Sequence, residues 1–153
     1  MSFIHKSVWI QFFITLFIGY HYIDSFIYLY EANKLTNEGY TELLIFTAFQ
    51  LVILNIAVHT IVAIFSNKDE IEQQRDERDD LIALKGSNAA YNLLSVWVMI
   101  IVVQLWLKSI PGAYYYFEAL SAEFNVLNML LVGFLLAEII RFSTKLYHYH
   151  KGA

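Results

Sequence analysis

Residues 88–107 read NAAYNLLSVWVMIIVVQLWL, twenty residues without a charged side chain. A helix of that length rises about 30 Å, the thickness of the hydrocarbon core of a bilayer. In lipid every backbone amide must be paired within the protein, so such a stretch is either a helix or part of a closed barrel. The run does not alternate apolar with polar residues, as a barrel strand would. Three more runs share its character, at 7–30, 40–66 and 123–146. The expected fold is an all-α membrane protein, an antiparallel four-helix transmembrane bundle built as one domain over the 153 residues.

Basic residues near span ends set orientation, with the richer side cytoplasmic. Lys6, Lys68, Arg75, Arg78, Lys85, Arg141, Lys145 and Lys151 fall on one side of the four spans, and Lys34 and Lys108 on the other. Both termini and the connection 67–87 are therefore expected in the cytoplasm, and connections 31–39 and 108–122 outside. The first run is too long for a signal peptide and no small-residue cleavage site follows it, so it reads as a retained span. Tyr28, Tyr30, Tyr40, Tyr114, Tyr115, Tyr116, Phe117, Tyr147 and Tyr149 lie near span ends, where aromatic rings favour the headgroup layer.

Composition removes several chemistries. There is no cysteine, which excludes thiolate nucleophiles, disulfide exchange and cysteine metal sites. The net charge of −4 gives no support for nucleic-acid binding. No P-loop, GxSxG, HExxH or dinucleotide fingerprint occurs. No cofactor and no metal is expected.

Ionisable and amide side chains at membrane depth are costly, so they are the candidates for function. They are His21 and Asp24 in the first span, Gln50, Asn55 and His59 in the second, Gln104 in the third, and Asn125, Asn128 and Glu138 in the fourth. Counting about 1.5 Å per residue places Asp24, Gln104 and Asn128 in an outer layer, with His21 and Gln50 slightly deeper. His59 and Glu138 fall in an inner layer. The outer layer reads either as a polar pocket around Asp24 or as interhelical hydrogen bonds. The inner one reads as a His59–Glu138 relay, or as Glu138 paired with Arg141 one turn away. Haem would need histidines at matching depth on facing spans, and His21 and His59 do not match.

The connection NKDEIEQQRDERDDLIALKGSN, residues 67–88, is the one long charged segment. Its Glu, Gln, Arg, Leu, Ala and Lys are good helix formers. It predicts a helix entering the third span, with a bend or break near Gly86-Ser87-Asn88. Asp76, Glu77, Arg78, Asp79 and Lys85 are its candidate partner-contact residues. In the outer connection Pro111-Gly112 signals a turn, and Ser121 stands where it can cap the fourth helix.

Asp76-Glu77-Arg78-Asp79, then Ile82, Lys85-Gly86 and Ala90-Tyr91 ahead of an apolar span, resembles a signature of small bacterial four-span proteins, a DUF2178-like group. The resemblance covers about sixteen residues plus the span layout. It implies a four-span fold in a bacterial inner membrane and carries no assigned activity. Three functions fit the sequence: a regulatory or partner-binding membrane protein acting through its charged cytoplasmic helix, an oligomeric channel or transporter with a site around Asp24, and a membrane enzyme. The first is favoured, because the charged helix is the most distinctive segment. The bilayer, a second copy of the chain and a cytoplasmic protein are its expected partners.

Overall fold

The computed structural model describes residues 3–64, 77–107, 110, 117 and 120–151. The described residues form four helices and no strand: α1 Phe3–Glu31, α2 Asn37–Ile64, α3 Glu77–Leu107 and α4 Ala122–Lys151. All four are long and apolar enough to cross a membrane. At 28 to 31 residues each, they exceed the twenty or so that hydrocarbon requires, so every helix has a turn or more to spare at its ends.

The ends of the helices are set by local chemistry. At the end of α1, Lys34 N–H donates to Leu29 O at 2.8 Å and Asn33 N–H to Tyr30 O at 3.2 Å. Asn33 between them has φ 52°, the left-handed conformation that closes a Schellman motif and that Asn tolerates better than most residues. Three residues later Thr36 caps α2, its Oγ1 accepting from Gly39 N–H at 3.2 Å. Leu35 before the cap and Tyr40 four residues after it are both buried in the same apolar cluster, a hydrophobic staple. Helix α4 starts at Ala122, directly after Ser121, whose carbonyl accepts from Asn125 N–H at 3.0 Å.

Helix α1 packs against α2 and α4, and α3 packs chiefly on α4. The main core joins α1, α2 and α4 through Ile18, Tyr22, Tyr40, Leu43, Leu51 and Leu135, together with Leu35 and Leu120 from the two connections. A second cluster of Val8, Phe142 and Leu146 joins α1 to α4 near the opposite end. Helix α3 contributes to neither cluster, and it buries the smallest share of its apolar length of the four.

Close approach of backbones holds α3 instead. Gly86 of α3 lies against α4 so tightly that a Cβ there would come within 2.8 Å of Lys145 Cγ and 2.9 Å of Arg141 O. Gly133 of α4 receives the indole of Trp97, and a Cβ would sit 2.1 Å from Trp97 Cδ1. The Trp97 indole N–H donates to Met129 O at 2.7 Å. A side chain at position 133 would lean back over the turn that carries this carbonyl, so its absence opens the path for the bond. Ala90 and Ala137 follow these glycines at four residues, the small-xxx-small spacing of close membrane helix pairs.

The helix expected to enter the third span is present from Glu77 and runs on to Leu107, and the break expected as one alternative at Gly86-Ser87-Asn88 does not occur. Gly86 is there for contact with α4 and does not end the helix; its ladder of hydrogen bonds continues because packing against α4 offsets the weak helix propensity of glycine.

Candidate functional site

The helices bring polar groups together at two levels. At the end that carries the α1–α2 turn, Tyr22 of α1 donates a hydrogen bond to Asn128 Oδ1 of α4. The Tyr22 and Tyr40 hydroxyl oxygens are 3.3 Å apart. With the Tyr22 proton engaged by Asn128, Tyr40 is the donor in that second bond. The three side chains link α1, α2 and α4 in one chain of hydrogen bonds among apolar neighbours. Phe26 stands edge-on to Tyr40 at 6.2 Å between centroids and to Phe117 at 4.9 Å, and Phe124 stands edge-on to Tyr40 at 5.8 Å.

Just beyond this group, buried Asn125 ties down the residues ahead of α4. Its Nδ2 donates to the carbonyls of Phe117, Leu120 and Ser121 at 3.0 to 3.1 Å, and its Oδ1 accepts from Phe117 N–H at 2.8 Å. Ser121 N–H donates to Asn37 Oδ1 at 3.1 Å, which joins the two connections at this end.

The second level lies at the opposite end. Tyr149 of α4 donates to Asp79 Oδ1 of α3 at 2.7 Å. The His5 ring of α1 stacks on Tyr149 with centroids 4.9 Å apart and 15° between planes. One residue of the DERD stretch thereby reaches a different helix. Nearby, Arg141 Nη1 donates to both oxygens of Glu138 at 3.3 Å, the one-turn pair on α4. The amine of Lys145 and the guanidinium of Arg141 each lie 5.7 Å from the centre of the Phe142 ring.

The remaining candidates are spread out. Asp24 is exposed on α1. His21, half-buried one turn away, sits against the Phe46 ring at 5.6 Å, and its buried Nδ1 has no hydrogen-bond partner among the described residues. Gln50 Oε1 and Gln104 Oε1 are likewise buried without a partner there. Of the outer-layer candidates, Asn128 is the one hydrogen-bonded to another helix among the described residues, and its partner is Tyr22, not Asp24. Glu77, Arg78 and Lys85 are exposed on the first turns of α3. Asp76, the tyrosines 114–116 and Pro111-Gly112 lie outside the described residues, as do the side chains of Asn55 and His59.

Sequence reasoning missed Tyr22, and read Tyr40 and Tyr149 as headgroup aromatics. A signal was present: Ile18 and Tyr22 are four apart on one helix face, and a hydroxyl on a core-facing stripe requires a partner. It also missed the buried stripe Ser7, Gln11 and Thr15 on α1, at the same spacing of four. Gln11 Nε2 lies 3.4 Å from Ser7 Oγ, and Thr15 Oγ1 donates to Gln11 O at 2.9 Å.

No group of three or more His, Asp or Glu side chains suited to a metal occurs among the described residues. Comparison of the chain with models of protein families, with curated proteins and with solved structures finds no match.

Proposed function

We propose that the chain is a regulatory or partner-binding membrane protein of a bacterial inner membrane, which engages a cytoplasmic protein through the charged opening of α3. The observation that carries this reading is the 2.7 Å bond from Tyr149 to Asp79. It fastens the first turns of α3 to the end of α4, while Glu77, Arg78, Asp80 and Lys85 stay exposed. A charged helix held by its neighbour offers a fixed pattern of opposite charges, which favours selective recognition over a solvated, fluctuating segment.

The antiparallel arrangement is supported by the contacts. As α3 numbers rise from Asp79 through Gly86 to Trp97, their partners on α4 fall from Tyr149 through Lys145 and Arg141 to Met129. Cytoplasmic termini are supported by the basic residues gathered at the Asp79–Tyr149 end. The DERD…KG…AY resemblance supports kinship with small bacterial four-span proteins, and self-association is part of the same reading.

The test combines topology with charge reversal. In intact cells a membrane-impermeant thiol reagent should label Glu38→Cys and spare Gln73→Cys; the reverse pattern overturns the orientation. Arg78→Glu should disrupt association or cellular function, and reversing its acidic partner should restore part of it. Unchanged oligomeric state, stability and phenotype in Arg78→Glu would leave the segment as a solvated helix alone.

A further inference from the structure

Among the described residues, the stripe of α4 at the charged end holds more cationic and unpartnered nitrogen than the carboxylate beside it uses. Arg141, Lys145 and His148 stand at i, i+4 and i+7, one stripe of α4. Arg141 gives Nη1 to Glu138, yet its Nε is buried with no hydrogen-bond partner among the described residues. The same holds for His148 Nδ1. The Lys145 amine makes no hydrogen bond or ion pair among the described residues, and its stem is held against Gly86 of α3. Among the described residues of this stripe, two cations therefore face one carboxylate, before any charge on His148.

Acids from the neighbouring helices do not close this balance. Asp79 accepts from Tyr149 and lies about 10 Å along α3 from Gly86. Asp80 and Glu77 are exposed about 9–13 Å further along α3 than Gly86. Lys85, beside Gly86, adds to the positive side and is exposed.

Depth selects the ligand. Twenty residues from Ala122 to Arg141, and twenty-two from Leu107 back to Gly86, each span roughly 30 Å, so the stripe lies where hydrocarbon gives way to headgroups. Buried nitrogens without partners are rare because each forfeits a hydrogen bond, and an anion with several acceptor oxygens can serve more than one of them. We propose that Arg141, Lys145 and His148, at the α3–α4 seam beside Gly86, bind an anionic phosphate group, carried by a phospholipid headgroup or free in solution. This site is independent of the partner-binding reading, which rests on the exposed face of α3.

The test uses the full chain purified in a neutral detergent, with phosphatidylglycerol, phosphatidylcholine and inorganic phosphate as separate probes. Binding is read by retention in native mass spectrometry and by thermal stabilisation. Phosphatidylglycerol should be retained and should raise the melting temperature, with phosphatidylcholine inert. Lys145→Met and Arg141→Gln should each weaken phosphatidylglycerol binding roughly fivefold, the worth of one basic residue near an anionic surface. Lys6→Gln, exposed on α1, should leave it unchanged. Arg141→Gln strands Glu138 and can fail to fold; Lys145→Met then decides alone, because its stem still packs on Gly86. Stabilisation by inorganic phosphate that is lost in Lys145→Met assigns the site to free phosphate, and response to phosphatidylglycerol alone assigns it to lipid. Equal retention of the two lipids, or an equal loss in Lys6→Gln, overturns the proposal.

Discussion

The two ends of the bundle are held by different chemistry. At the turn end, neutral side chains do the joining: Tyr22, Tyr40 and Asn128 across three helices, and Asn125 to the backbone of residues 117–121. Tyr22, Tyr40 and Asn125 are buried and Asn128 is half-buried. At the charged end Asp79 and Tyr149 join α3 to α4, with the Glu138–Arg141 pair of α4 close by, all four half-exposed, beside a lysine amine that makes no ion pair among the described residues. Buried neutral bonds fix a geometry, since breaking one strands its partner in an apolar medium. Half-exposed charges hold less tightly and stay available to an outside ligand. On the proposed reading, the first end serves architecture and the second recognition.

Asn125→Ala tests the turn end most severely. It strands Phe117 N–H and the carbonyls of Phe117 and Leu120, so a loss of about 3 kcal/mol is expected in detergent unfolding titrations. A loss below that of any charged-end variant would reverse the assignment. Tyr22→Phe removes one hydroxyl from the three-helix chain and should lower stability by about 1 kcal/mol, the scale of interhelical bonds in membranes, with no dependence on salt. Salt sensitivity in that variant would show that the group is wet. Tyr149→Phe should have the smallest effect, about 0.5 kcal/mol, because the bond is half-exposed and water can replace the hydroxyl at Asp79. An effect as large as that of Asn125→Ala would mean that the charged end is also structural.

The sequence carried the spans and the helix ahead of the third. The apolar run 88–107 ends where α3 ends, and the good helix formers of the charged connection extend it back eleven residues to Glu77. Hydropathy marks what lipid can cover, whereas helix continues wherever backbone bonds and neighbours support it, charged residues included. Gly86 shows the same limit. Its composition suggested a break, and only the position of α4 reveals a contact surface. Asn128 and Glu138 could be named from sequence because polar groups at depth are rare. Their partners could not be matched by depth alone: Glu138 meets Arg141 on its own helix, whereas Asn128 meets Tyr22, a residue that the sequence reading passed over. Pairing depends on which face each residue takes, and helices apolar on all sides conceal their faces.

The turn over residues 29–40 bears on how the protein is made. Its Schellman bonds, the Thr36 cap and the Leu35–Tyr40 staple join residues no more than five apart, so the turn closes as soon as its own residues leave the ribosome. Tyr22 and Tyr40 then meet while α4 is still untranslated, and their hydroxyls wait in the hairpin for Asn128. Synthesis order thus makes the first hairpin a template, on which the last helix docks by supplying the missing amide.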